Sequence, residues 1–132
     1  MIHLTMVTPE RKVVDRQVDE VMLPGIEGYF GVLPGHAPLL TALKVGAITY
    51  RQGSETHHVM VAWGFVEVLP DKVSVLADIA ERAEEIDLDR AQQARRRAEE
   101  TLKKGTDVDW ARASASLEKA LARIQVAGRM AH

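Results

Sequence analysis

The chain has no cysteine, six residues of the Trp, Tyr and Phe kind, and no proline beyond Pro70. Without cysteine there is no disulfide framework, thiolate metal site or cysteine nucleophile. There is no glycine-rich phosphate loop of the G-x-x-x-x-G-K-[ST] kind. No uncharged apolar run approaches the roughly 20 residues that a membrane helix needs. The N-terminus, Met1-Ile2-His3-Leu4, lacks a basic region before a long apolar run, so no signal peptide is expected. Neither sign of charge dominates: the formal net charge is −2, which argues against a nucleic-acid binder and against an acidic tail. Membrane association is therefore expected only through a partner.

What is present divides into two compositions. All five prolines and seven of the nine glycines fall in the first 70 residues, whereas twelve of the seventeen alanines lie from Ala80 onward. With 132 residues, 46% of them apolar, the chain has enough material for one compact domain and an appendage. The boundary is expected near residue 84, giving domains 1–84 and 85–132.

The first part reads as strands. Ile2, Leu4 and Met6 alternate with His3 and Thr5; Val18 and Val21 to Leu23 form a second apolar run. Val45 to Tyr50 leads into a turn at Gly53-Ser54, His58 to Trp63 returns, Gly64 breaks the run, and Phe65 to Leu69 continues it. Pro70-Asp71 turns the chain into Lys72 to Ala77. Short β-branched runs with turns this close together predict a sandwich or barrel rather than a parallel α/β sheet.

The second part reads as two helices. Asp87 is placed to cap the first, with Ala91, Ala94, Ala98 and Leu102 following at helical spacing and Gly105 as a stop. Thr106 to Asp109 restarts a helix whose apolar stripe is Trp110, Ala113, Leu117, Ala120, Leu121, Ile124 and Ala127. The short turn predicts antiparallel neighbours. Trp110, the largest residue of an alanine seam, is expected to anchor it. Such a seam buries little area per residue, so at about 25 cal/mol per Å² the hairpin is held weakly and can leave its resting place.

Few residues suggest chemistry on their own. His57-His58 resembles a metal pair, but adjacent strand residues point to opposite faces, so no metal site is expected. His36, in the turn Leu33-Pro34-Gly35-His36-Ala37-Pro38, has no Ser or Asp pattern to complete a triad and reads as structural or interfacial. The acids Glu81, Glu84, Glu85, Asp87 and Asp89 lack the spacing of a calcium loop. Asp87 followed by Arg90 and Arg95 to Arg97 either opens a nucleotide site that needs no phosphate loop, or is an ordinary capped, solvated helix. Residues alone reach a β domain with a detachable helical hairpin, an interaction protein rather than an enzyme.

Three stretches go further: Gly31-Val32-Leu33-Pro34-Gly35-His36-Ala37-Pro38-Leu39-Leu40, Trp63-Gly64-Phe65-Val66-Glu67-Val68 and Lys72-Val73-Ser74-Val75-Leu76-Ala77. With strands followed by a hairpin, they make the whole chain resemble the epsilon subunit of the F-type ATP synthase, bacterial or chloroplast type. The resemblance implies a flattened β-sandwich or barrel of about ten strands, then an antiparallel two-helix hairpin. It implies a non-catalytic part of the rotating central stalk, held by the β domain to the gamma subunit and the ring of c subunits. The hairpin would reach the alpha/beta catalytic head when extended, and there inhibit ATP hydrolysis. The implied location is peripheral, on the cytoplasmic face of the bacterial inner membrane or the stromal face of the thylakoid.

The family's nucleotide motif, I/L-D-x-x-R-A, is matched at Ile86, Asp87, Arg90 and Ala91. The resemblance adds Glu81, Arg97, Lys119 and Arg123, so ATP is a regulatory ligand that would favour the folded hairpin; no cofactor is required. Tyr29-Phe30 stands where many relatives carry Glu-Leu. With His36 it is assigned to partner contact, as two exposed aromatics of a loop facing the c ring. A free-standing ATP sensor and a stalk part with an immobile hairpin are the rival functions.

Overall fold

The computed structural model describes residues 1–105 and 110–130. Strand β1 (Ile2–Val7) buries Ile2, Leu4 and Met6 completely while the residues between them stay partly open, the alternation expected of a strand with one face on a core. β2 (Lys12–Val18) pairs antiparallel with it, Ile2 opposite Val18. β3 (Glu20–Gly25), β4 (Gly28–Val32), β5 (Leu39–Leu43), β6 (Gly46–Gln52), β7 (Glu55–Leu69) and β8 (Lys72–Arg82) complete the sandwich. The hydrogen-bonded order is β2-β1-β8-β7-β5-β3-β4, with β6 bridging β3 and β7. Every pair is antiparallel except β1 with β8. Val, Leu, Ile and Met side chains, among them Val18, Leu23, Ile48, Val61 and Val75, fill the space enclosed by the strands.

Among the described residues the strands number eight, where about ten were expected. The difference lies chiefly in β7, which runs unbroken through Gly64. Trp63 takes φ 52 and Gly64 φ 143, so the strand kinks without ending. A Cβ on Gly64 would stand 2.0 Å from the carbonyl oxygen of Leu76 on β8, so only glycine permits this approach. Before the kink β7 pairs with β6, and after it with β5, while β8 follows it on both sides of the kink, from Val59 to Leu69.

A single 3₁₀ turn, Ala83–Glu85, connects β8 to α1 (Leu88–Lys104). The Asp87 carboxylate caps α1 by accepting from the Arg90 backbone N–H at 3.1 Å, and Gly105 ends it with φ 71. α2 (Trp110–Met130) packs along α1 and returns to the sandwich, touching β6, β7 and the 3₁₀ turn. The expected restart at Thr106–Asp109 lies outside the described residues.

A second, smaller core forms where α2 meets the sheet: Ala47, Met60, Ala62, Ala83, Ala122 and Val126, flanked by Val45, Ile79 and Ile86. This corrects the expected helix stripe. Trp110 is 63% exposed and Leu121 47% exposed, while Ala113, Ala120, Ala122 and Val126 are buried. The reason is geometric: α2 must serve both α1 and the sheet, and Trp110 begins it at the hairpin's far end, away from the sandwich. Trp110 is therefore no anchor, and the docking side chains are Ala122 and Val126.

Candidate functional site

The strand end, the 3₁₀ turn and both helices meet in a cleft of about 390 Å³. Glu81 reaches it from the end of β8, and Glu85, Ile86 and Asp87 from the connection. Arg90, Ala91, Ala94 and Arg97 line it from α1, and Arg123 from α2. Seven of the eight residues assigned to nucleotide binding are thus neighbours: Glu81, Ile86, Asp87, Arg90, Ala91, Arg97 and Arg123. Lys119 is not brought to this cleft. Its ammonium stands 5.6 Å from the centroid of the Trp63 ring, a cation–π contact that ties α2 to the kink of β7.

The charges of the cleft are organised. Arg123 donates to Glu81 through Nε at 2.8 Å and Nη2 at 3.3 Å, so one guanidinium joins α2 to the sheet in a two-point ion pair. Glu85 accepts from both terminal nitrogens of Arg11, at 2.6 and 2.8 Å, and from the backbone N–H of Arg82 at 2.9 Å. The hydrogen bonds of Arg11 hold the Glu85 carboxyl down at about 2. The same Arg11 Nη2 donates to the Ala80 carbonyl at 3.3 Å, which fastens the loop between β1 and β2 to the end of β8. Arg90 and Arg97, two turns apart on one face, form no ion pair with a described residue. The arrangement can accept a ligand with an uncharged or hydrogen-bonding end at the carboxylates and an anionic end on the arginines.

The ion pair of Arg11 with Glu85 was missed from sequence. The two residues lie 74 positions apart, and no local spacing links them. Met60 carried a signal: Val59, Met60, Val61 and Ala62 form an unbroken buried run, the mark of a strand covered on both faces.

The residues assigned to partner contact lie on the sandwich. Tyr29 and Phe30 are in β4, not in a loop, and they point to opposite sides. Phe30 packs against the main core, so the expectation of two exposed aromatics is corrected to one. Tyr29 is 50% exposed, and its hydroxyl accepts from the backbone N–H of Ala47 at 3.0 Å. That contact needs Gly46, since a Cβ there would come within 2.5 Å of the Tyr29 oxygen. His36 sits in a turn closed by its own N–H to the Leu33 carbonyl at 3.2 Å, and Gly35 N–H ties the turn to the Pro70 carbonyl at 2.7 Å. The two adjacent histidines diverge as a strand requires: His57 stacks on Tyr50, and His58 pairs with Thr49 at 2.9 Å.

One further surface stands open. Ile26, Trp63, Phe65 and Leu76 line an apolar groove along the kink of β7 and are 38 to 61% exposed. Isolated exposed apolar residues are ordinary; a lined groove of them marks an interaction surface.

The chain is similar to known proteins along nearly its whole length. A family model described as ATP synthase, Delta/Epsilon chain, beta-sandwich domain matches residues 1–83; a second, ATP synthase, Delta/Epsilon chain, long alpha-helix domain, matches residues 84–128. The ATP synthase epsilon chain of Nitratidesulfovibrio vulgaris is 53% identical over 128 residues, 96% of each chain. That of Geobacter sulfurreducens is 48% identical over 132 residues, covering 98% of this chain and 96% of its own. The fold is shared with a chain in the cryo-EM structure of the Euglena gracilis mitochondrial ATP synthase, at a TM-score of 0.78 and 22% identity, over 99% of this chain and 81% of that one. Two adjoining family models and relatives about half identical from end to end lead to one conclusion: the chain belongs to the delta/epsilon family of the ATP synthase, among its F-type epsilon chains.

Proposed function

We propose that this chain is the non-catalytic epsilon subunit in the central stalk of a proton-translocating F-type ATP synthase. The observation that carries this reading is the end-to-end similarity to epsilon chains across both the sandwich and the hairpin. The sandwich attaches to the gamma subunit and the c ring. Its open groove at Ile26, Trp63, Phe65 and Leu76 and the exposed Leu33 and Leu40 supply apolar surface for such contacts. The subunit is peripheral and reaches the membrane through these partners, on the cytoplasmic face in a bacterium. No described helix is long and apolar enough to cross a bilayer.

The hairpin is the regulatory element. Undocked and extended toward the alpha/beta head, its basic positions meet acidic surfaces there and obstruct ATP-driven rotation. ATP in the cleft between Glu81 and Arg97 favours the docked state, because the cleft's wall includes Arg123 of α2 and is complete only when α2 lies on the sheet. Deleting the chain from Asp87 onward is expected to leave synthesis largely intact and to raise ATP hydrolysis by the assembled enzyme. Equal hydrolysis by full-length and truncated enzymes, at low and high ATP, would refute the inhibitory role. Loss of co-purification with gamma would refute the stalk assignment itself.

A further inference from the structure

Strand β7 changes sides at its kink. Before it, Val59 and Val61 belong to the main core; after it, Val66 and Val68 do, so the alternation slips by one residue at Trp63-Gly64. The side of β7 turned away from that core therefore has two parts. Met60 and Ala62 carry α2 through Ala122 and Val126. Beyond the kink, Ala42, Phe65, Leu76 and Val7 stand abreast on β5, β7, β8 and β1. They form the floor of the open groove, a volume of about 650 Å³.

Trp63 is where the two parts meet. Its ring lines the groove, and the Lys119 ammonium of the docked α2 stands 5.6 Å from the ring centroid. Its backbone is held at φ 52, a left-handed conformation that a bulky residue keeps only where surrounding contacts enforce it. The close approach of Gly64 to Leu76 supplies one such contact from within the sandwich, and Lys119 holds the ring from the hairpin. Of the described residues lining the groove, Asp78 alone is charged, and it forms no ion pair with a described residue. The groove thus fits a partner that presents apolar side chains flanked by a basic one.

We propose that the groove and the docked α2 form one composite surface for the gamma subunit, with Trp63 as its shared residue, so that gamma binding and hairpin docking reinforce each other. This rests on the stalk reading given above. The groove lies beside α2, whereas the turn of His36 lies at the far end of β7, where Gly35 is tied to Pro70. In that reading the hairpin reaches for the catalytic head, so the surface beside it is assigned to gamma and the opposite end of β7 is left to the c ring. The sign of the coupling follows from solvation. An apolar side chain seated in the groove strips water from Trp63, and a cation–π contact is stronger when desolvated than when exposed. By linkage, whatever gamma adds to docking, docking adds to the affinity for gamma.

The test measures two quantities on the full chain: its affinity for gamma, and hydrogen exchange of the α2 amides with and without gamma. Wild type is compared with Lys119→Gln, Lys119→Arg, Trp63→Leu and the double variant Lys119→Gln with Trp63→Leu. In wild type, gamma is expected to slow α2 exchange about fivefold, the step between an exposed and a desolvated cation–π contact. Lys119→Gln should weaken gamma binding by the same factor and remove the added protection. Lys119→Arg should retain both, since a guanidinium also stacks on an indole. In the Trp63→Leu background, Lys119→Gln should change nothing further. If Trp63→Leu does not fold, the two Lys119 variants decide the matter by themselves. Equal gamma affinity in wild type and Lys119→Gln would overturn the coupling and leave the stalk reading standing. A full Lys119→Gln effect in the Trp63→Leu background would overturn it too, by showing that Lys119 acts without the ring. Exchange of α2 unchanged by gamma in wild type would do the same. No binding of gamma to wild type would remove the stalk reading and the composite surface together.

Discussion

At the scale of single residues, Glu85 bears most on pH. Its carboxyl is held at about 2 by Arg11 and Arg82, below the ordinary value of 4.5. The folded value is the lower one, so the stabilisation is fully present above about pH 4.5 and is lost as pH falls through about 2. Glu85→Gln is therefore expected to lower stability at neutral pH, with the difference from wild type closing across that window. Thermal melts at stepped pH check this; a difference independent of pH would mean that the ion pair is not the cause. Arg11 shows the limit of reading such a site from sequence. The cap at Asp87 and the arginines two turns apart follow from local spacing, which one helix enforces. The pairing of Arg11 with Glu85 depends on how β1, β2 and β8 associate, and no local pattern encodes that. Lys119 lies outside the cleft for a related reason: one residue's position around α2 decides between the cleft and the ring of Trp63.

At the scale of elements, strands and helices were largely legible, because alternation and alanine periodicity report directly on which face is buried. What was lost was continuity and facing. Gly64 reads as a break, yet it is a kink inside one 15-residue strand. The bulkiest residue of α2 reads as its anchor, yet Trp110 is 63% exposed and the buried contacts belong to Ala122 and Val126. Bulk signals burial only where a partner surface exists to receive it. Trp110→Ala is accordingly expected to change stability by no more than about 0.5 kcal/mol, as at other exposed sites. Val126→Ala, which leaves a void against Met60 and Ala62, should cost about 2 kcal/mol of docking. Hydrogen exchange of the α2 amides would separate the two, and a larger effect at Trp110 would reverse this assignment.

At the scale of the whole molecule, the sandwich has a core that borrows nothing from the helices. The main cluster runs from Ile2 to Ala80 and contains no described residue of α1 or α2. Residues 1–84 alone are therefore expected to fold and to retain gamma binding. A fragment unfolded by circular dichroism, or one that fails to co-purify with gamma, would show that the two parts are a single folding unit.

The alanine surface between hairpin and sheet has a consequence for life after detachment. Were α2 to lift away, it would uncover Ala47, Met60 and Ala62 of the sheet and Ala83 of the 3₁₀ turn, three of the four with a single methyl group, beside the already partly open Val45, Ile79 and Ile86. A seam of leucines would hold more tightly, and when parted it would leave two adhesive faces prone to clumping with other copies. Methyl-sized contacts, with Arg123 and Lys119 supplying polar fastenings at Glu81 and Trp63, make a joint whose open halves stay wettable. On the proposed regulatory reading, such a joint would part and re-form many times in crowded surroundings without fouling, which a switch requires and a permanent weld does not.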